Sequence, residues 1–209
     1  MIPIGQYDSP FVRRVAVALL LYGFPYEHRP WSTFGDAARI APFNPLRRVP
    51  VLVPDDGEPL IESAAILDYL DELAGPERAL IAREGPARRN ALKICALATG
   101  LADKAVILIY ERVLHEQSSA VWVDRCRMQI EAVLHALEAD RRSTGGASWW
   151  GERIGHADIA VACALRLLRE AHPECFDAAR WPLLARHCAH CEALEAFKAV
   201  TQAFLPPTR

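Results

Sequence analysis

The stretch Asn44-Pro45-Leu46-Arg47-Arg48-Val49-Pro50-Val51-Leu52, followed by Ile61-Glu62-Ser63, constrains this chain more than any other segment. Pro50 stands at the mouth of a short apolar run that reads as a strand. Proline brings no N–H to a ladder, so a strand accepts it only at an edge or an end. An X-Pro bond also takes the cis form far more readily than other peptide bonds. A cis Val49-Pro50 bond predicts a sharp turn that leaves the Val49 backbone facing outward, free to pair with an extended peptide. Ser63 then stands where a helix should begin. Its hydroxyl, the free N–H groups and the positive helix end together make a seat for a carboxylate. A strand edge that pairs with a peptide backbone, beside an anion seat, suits a small acidic peptide.

The first 75 residues carry most of the prolines and alternate short apolar strands with helices. Ile2 and Ile4 alternate with other residues and read as a first strand. Ser9-Pro10 opens a helix, with Ser at the N-cap and Pro at the first helical position. Val12, Val15, Ala16, Leu19 and Leu20 mark its buried face, and Gly23 ends it. Tyr26 to Trp31 reads as a second strand and Thr33 to Ala41 as a short, irregular helix. Val49 to Val53 and Pro59 to Ile61 read as strands joined by the hairpin turn Asp55-Asp56-Gly57. Ser63 to Leu73 is a helix ending near Gly75-Pro76. The order is βαβαββα.

Residues 76–86, bracketed by Gly75-Pro76 and Gly85-Pro86, read as a linker, and residues 87–209 read as a second, all-helical domain. Ala87 to about His115 is one long helix and Val121 to about Arg141 another, with a break at Ser143-Thr144-Gly145-Gly146. Ile154 to about Ala171 is a third, so apolar that it belongs at the centre of a bundle. Gly155 takes its N-cap, Asp158 follows three residues later, and Ile154 with Ile159 can form a hydrophobic staple. Pro182 to about Phe204 supplies the last helices.

The net charge of −2 over 209 residues predicts no general affinity for nucleic acid or anionic membrane. No apolar run approaches the roughly 18–20 residues of a membrane span. The start Met-Ile-Pro-Ile-Gly-Gln has no basic region ahead of a long apolar one, so it does not read as a secretory signal. Six cysteines without tight spacing do not form a disulfide framework and read as reduced thiols of a cytoplasmic protein.

Taken together, Ser9-Pro10-Phe11-Val12-Arg13-Arg14-Val15, Phe43-Asn44-Pro45 through Val49-Pro50-Val51-Leu52, Glu62-Ser63 and the helical second half carry a resemblance. In that order and spacing the chain resembles a bacterial glutathione transferase along essentially its whole length. The resemblance implies an α/β plus all-α fold, with a thioredoxin-like βαβαββα domain over residues 1–75 followed by the helical domain. One departure stands out: the family usually carries Ser or Thr where this chain has Gly155. Glycine is only a few tenths of a kcal/mol worse as a cap, so the change bears on folding rather than chemistry.

The resemblance implies glutathione as co-substrate, and glutathione reacts as a thiolate. A free thiol with a pKa near about 8.5 is only a few per cent ionised at neutral pH. Ser9, at the head of the first helix, can donate its hydroxyl to the sulfur while first-turn N–H groups stabilise the charge. On spacing alone Ser9 is equally a plain N-cap; the resemblance implies the catalytic role. Tyr7 is a rival donor if the strand extends that far, although packing on the sheet is the favoured reading. Residues 1–94 contain no cysteine, which excludes cysteine-based thiol–disulfide chemistry at this site.

By the same resemblance Ser63 holds the γ-glutamyl carboxylate and Glu62 its ammonium. Val49, presented by Pro50, pairs with the cysteinyl backbone, and Arg48 meets the glycyl carboxylate. In related transferases an acidic residue in the region of Asp103 reaches the glutathione amine across a dimer interface. The second substrate is a small hydrophobic electrophile between the halves, with Tyr7, Phe11, Tyr110, Leu114 and Trp149 as candidate walls. Arg13 and Arg14 offer an interdomain salt bridge or positive potential near the thiolate, without a choice between them.

His187-Cys188-Ala189-His190-Cys191 places His187 and Cys191 on one helix face. A structural zinc needs four ligands and no second cluster supplies the rest, so no metal is expected. The leading reading is a homodimeric glutathione transferase. The alternatives are a glutathione-dependent isomerase or dehalogenase, and a non-catalytic glutathione-binding or interaction module. Maleylacetoacetate isomerases share the serine, but their fuller Ser-Ser-Cys type start is not matched by Tyr7-Asp8-Ser9-Pro10-Phe11.

Overall fold

The computed structural model describes residues 1–144 and 146–207. Gly145, within the expected break at 143–146, and residues 208 and 209, at the end of the expected helical domain, lie outside the described residues. Strand β1 (Ile2–Ile4) leads into α1 (Pro10–Tyr22); after a loop come α2 (Ala37–Ile40), β2 (Val51–Val53), β3 (Leu60–Ile61) and α3 (Ser63–Ala74). Helices follow: α4 (Gly85–Leu114), α5 (Ala120–Thr144), α6 (His156–Ala171), a 3₁₀ turn at Pro173–Cys175, α7 (Pro182–Glu192) and α8 (Glu195–Lys198).

The three strands form an antiparallel sheet in the order β1-β2-β3, with Ile4 opposite Val51 and Val51 opposite Ile61. The Val49-Pro50 bond is cis. The strand expected over 26–31 is reduced to one parallel bridge between Ile4 and Arg29. Backbone N–H groups of Glu27 and Arg29 still donate to Met1 and Pro3 along β1, each at 3.0 Å. The next N–H in that alternation, of Trp31, turns back to the Arg29 carbonyl at 2.8 Å, which ends the ladder. The irregular helix expected over 33–41 contracts to its last turn, α2.

Helix starts differ from expectation by one or two residues at α5 (Ala120) and α6 (His156), and two others differ more instructively. α4 begins at Gly85, two residues early, because Pro86 suits a first helical turn. In α3 the N-cap position belongs to Glu62, at φ +68°, and Ser63 is the first helical residue. The Ser63 hydroxyl is therefore not a cap; it accepts from Arg14 Nη1 at 3.4 Å.

One apolar cluster joins the two halves. Val15 and Leu19 of α1 and Ile66 and Leu70 of α3 share it with Ile159 and Cys163 of α6, Cys191 of α7 and Phe197 of α8. A second cluster fills the space between α4, α5, α6 and α7. Helix α6 enters both, which explains why its sequence is apolar around nearly its whole circumference. The polar ties follow the same seam. Arg13, almost completely buried, forms a fork with Glu192 of α7 (Nη2 to Oε2 2.7 Å) and donates to the carbonyls of Phe197 and Val200. Asp71 of α3 lies 2.9 Å from His156 Nε2 of α6. Of the two adjacent arginines, Arg13 is thus the interdomain bridge, and Arg14 turns inward toward α3.

Candidate functional site

Between the sheet half and α4 lies a cleft of about 460 Å³. Its floor is built by the turn that follows β1. Gly5 takes φ +130°, and a Cβ there would stand 2.4 Å from Val12 Cγ2 and 2.9 Å from Val49 Cβ. Only glycine lets β1, α1 and the Val49 loop meet this closely. The turn delivers Ser9 to the N-cap of α1 in extended geometry (φ −71°, ψ 122°). Its Oγ accepts from the Val12 N–H at a long 3.5 Å. Accepting that bond leaves the hydroxyl proton available for a donor role toward the cleft, which Ser9 lines. The first turn of α1 carries no acidic residue, so its N–H groups keep their partial positive charge.

The opposite lip is the loop before β2. Asn44 folds it, donating to the Arg48 carbonyl (2.9 Å) and accepting from the Leu46 N–H (3.0 Å). Arg47 takes a left-handed φ of +53°. Arg48 and Val49 consequently face the cleft. Among the described residues, Val49 makes no backbone hydrogen bond. Pro50 is buried beneath it and does not itself line the cleft.

Asp103 and Lys104 close the cleft from α4. Burial raises the Asp103 pKa above the usual carboxylate value, Arg48 and Lys104 pull it back, and Glu62 pushes it up again. Arg48, Asp103 and Lys104 line this volume together, and Glu62 acts on Asp103 from outside the lining. Phe11 of α1 and Tyr110 of α4 supply apolar wall, and Phe34 packs edge-on against the Tyr110 ring (centroids 5.5 Å).

Not every expected residue arrives there. Tyr7 is outside the cleft lining. β1 stops at Ile4, so strand alternation does not carry as far as residue 7. The Tyr7 ring instead stacks on His28 (3.9 Å) and its hydroxyl meets that of Tyr26 at 3.2 Å. Burial and this partner push its pKa far up, leaving a neutral phenol. Leu114, the last residue of α4, lies one turn beyond Tyr110 and outside the lining. Trp149 is also elsewhere: its indole Nε1 donates to Asp140 (3.0 Å) and its backbone N–H to Asp158 (2.7 Å). Glu62 and Ser63 stand at the head of α3, outside the cavity lining; Glu62 is exposed, whereas Ser63 is 4 % exposed.

Asp8 and the C-terminal strap, like Phe34 and Lys104, have no counterpart in the sequence reading. Asp8 lines the cleft beside Ser9, burial raises its pKa, and its carboxylate accepts from the Leu205 N–H at 3.3 Å. Phe204, Leu205 and Pro207 of the C-terminal strap form part of the wall. The strap is held by Phe204 N–H to Glu170 (2.8 Å) and by Gln202 Oε1 accepting from the Tyr7 N–H (3.0 Å). Asp8 was within reach as a neighbour of Ser9; the strap has no local signature. Among the described residues no group of three His, Cys, Asp or Glu is placed to hold a metal. Among the described residues no helix is long and apolar enough to cross a membrane.

Comparisons with known proteins converge on this architecture. Residues 4–78 match the family model described as glutathione S-transferase, N-terminal domain, and residues 120–190 the corresponding C-terminal domain. An Escherichia coli K12 protein described as the uncharacterized GST-like protein YibF is 31% identical over 79% of this chain and 80% of its own length. Maleylacetoacetate isomerase of Pseudomonas aeruginosa is 29% identical over 97% of this chain and 96% of its own. Among solved structures, a Methylobacterium radiotolerans glutathione S-transferase in complex with glutathione sulfonate superposes with a TM-score of 0.89 at 30% identity, covering 100% of this chain and 97% of that one. A Pseudomonas fluorescens Pf-5 family member with bound glutathione gives 0.83 at 31% identity, with 99% of each chain covered.

Proposed function

We propose, from the premise that this chain belongs to the glutathione S-transferase family, that Ser9 and the head of α1 ionise glutathione in the cleft described above. The protein is a glutathione transferase. The thiolate sulfur of glutathione forms a bond to an electrophilic carbon. In a displacement the leaving group departs with the bonding pair; in a conjugate addition the substrate takes up a proton. The thiol proton goes to solvent.

Each part of the tripeptide has a partner. Val49 offers its free N–H and C=O to the cysteinyl backbone. Arg48 faces the glycyl carboxylate, where a guanidinium pairs in a fork. The γ-glutamyl carboxylate goes to Ser63 and the N–H groups at the head of α3, and its ammonium lies toward Glu62 and Asp103. That cation would offset the burial, and the smaller repulsion from Glu62, that raise the Asp103 pKa. Phe11 and Tyr110 contact a small hydrophobic electrophile. The observation that carries this reading is the meeting of an open helix head, bearing Ser9, with the unpaired Val49 backbone across one cavity.

The decisive test is glutathione binding by calorimetry, paired with the ultraviolet thiolate absorbance of the bound ligand across pH. The expected result is binding with the thiol pKa lowered by more than about one unit, worth about 1.4 kcal/mol. Binding without a shift supports a non-catalytic module instead. A second reading follows from the 29% identity to an isomerase over nearly the whole chain: the same thiolate adds to and leaves a cis-alkene substrate. Turnover without net consumption of glutathione would select it. We further propose a cytoplasmic location and a homodimer, the dimer supported by the exposed apolar side chains of Leu92 on α4 and Val121 and Met128 on α5. Sedimentation of the purified protein tests the dimer.

A further inference from the structure

A second cavity, of about 480 Å³, opens between the C-terminal end of α5 and one face of α7, and shares no lining residue with the cleft. Its lining includes Arg141 and Arg142 from α5 and Arg186, His187 and His190 from α7, with no carboxylate among the described residues. Residues 183, 186, 187 and 190 recur at helical spacing, so α7 turns one continuous stripe toward it. Arg141 (7 % exposed) and His187 (2 % exposed) form the floor; Arg142, Arg186 and His190 form the rim.

The acids nearest this cavity are already engaged. Both oxygens of Glu138 accept backbone N–H groups of α7, from Leu183 at 3.1 Å and Leu184 at 3.0 Å, and Arg142 approaches one only at 3.9 Å. Asp158 accepts from Gly155 N–H and Trp149 N–H, and its Oδ1 stands 3.8 Å from His187 Nε2. Arg141 is fixed by donating to the Gly146 carbonyl and lying over the Trp149 ring at 5.4 Å. Arg186 has no ion pair among the described residues. The guanidinium groups of Arg142 and Arg186 at the rim repel one another across one concave volume, and a cavity wall concentrates their field. A bound anion would relieve that repulsion, and guanidinium forks match phosphoryl oxygens.

We propose that this cavity is a binding site for a small molecule bearing two or more phosphoryl groups, separate from the glutathione cleft. The volume exceeds what one phosphate needs and falls within the range of small-molecule pockets. A rigid floor of buried Arg141 beside adjustable rim arginines suits a polyanion whose organic portion extends outward.

The test uses the full chain, with inorganic pyrophosphate and ADP as probes, in calorimetry at about 0.15 M salt, where long-range attraction is screened. Saturable binding of either probe is expected. Arg186→Glu and, separately, Arg142→Glu should each weaken it by about tenfold or more, about 1.4 kcal/mol. Arg83→Glu makes the same change of net charge on an exposed site outside the cavity and should leave binding intact. Glutathione binding should be unchanged in all three. Equal affinity for the two probes would assign recognition to the phosphoryl groups alone; tighter ADP binding would add a contribution from the nucleoside. No saturable binding of either probe, or equal weakening by Arg83→Glu, overturns the proposal.

Discussion

Helices α1 and α6 begin in opposite ways. At the head of α1, Ser9 accepts one long bond from the Val12 N–H, no acid follows in the first turn, and the end opens on the cleft. At the head of α6, Gly155 is the N-cap and Asp158, itself fully buried, accepts from the Gly155 N–H at 2.9 Å and from the Trp149 N–H at 2.7 Å. The same unsatisfied N–H groups exist at the start of any helix. Inside the core the chain must answer them with its own groups, here the Asp158 carboxylate for Gly155 and the Leu80 carbonyl for His156, because water cannot reach them. At a cleft wall they can be left open, and their positive end becomes available to a ligand's anion. One helix start is closed by the chain's own groups and the other is left open on a cleft, and burial is what separates them.

The largest test of that contrast is Asp158→Ala. Two buried N–H groups lose a charged acceptor, so stability should fall by about 3 kcal/mol or more. Urea unfolding measures it, and a loss under about 1 kcal/mol would erase the distinction between the two helix heads. Ser9→Ala should do the reverse. Turnover should drop by about 100-fold, about 2.7 kcal/mol in the barrier, with at most about 1 kcal/mol lost from stability. Unchanged turnover would remove Ser9 from the mechanism and leave the helix N–H groups alone to hold the thiolate.

Gly155→Ser sharpens the comparison further. Propensity alone makes serine the better cap. Here, however, a Cβ at residue 155 would stand 2.8 Å from the Leu80 carbonyl and 3.1 Å from the Trp150 ring. That carbonyl already accepts the His156 N–H at 2.8 Å and cannot easily retreat. The substitution should therefore destabilise by about 1–2 kcal/mol; a rise in thermal midpoint would contradict the crowding. The smallest effect is expected from Tyr7→Phe. It removes one hydroxyl contact with Tyr26, so about 0.5–1.5 kcal/mol of stability is at stake. Steady-state turnover should stay within about twofold of the parent, since each unit of barrier energy near 1.4 kcal/mol changes rate tenfold and Tyr7 does not line the cleft.

Local signals were the legible ones. Ser9-Pro10 and Gly23 bound α1, and Gly23 adopts the left-handed φ of +69° that such a stop requires. Asp55-Asp56-Gly57 turns β2 toward β3, with the Gly57 N–H donating to Pro54 at 3.1 Å. Asp158 three residues after Gly155 announced the start of α6. The strand over 26–31 misled because apolar alternation says nothing about how much of a partner strand is present; β1 is only three residues long. Tyr7 misled for a related reason, since period-2 reasoning ends where the strand ends.

Ser63 shows a subtler limit. A serine ahead of an apolar run reads as a cap, but Glu62 holds the cap position and a buried Arg14, 49 residues earlier in sequence, takes the hydroxyl. The five basic residues around the second cavity look like ordinary helix-surface charges in sequence, because α5 and α7 are far apart in the chain.

The order of strands and helices, their caps and turns, and the residue types suited to a thiolate were determined by the sequence itself, because each depends on side chains within a few positions of one another. Which polar groups are satisfied and which are left open was decided only by the tertiary structure. That outcome depends on desolvation and on contacts between distant segments: Arg13 with Glu192, Leu80 against Gly155, the C-terminal strap against Asp8. Burial changes the cost of an unpaired group by several kcal/mol, and burial is a property of the whole fold.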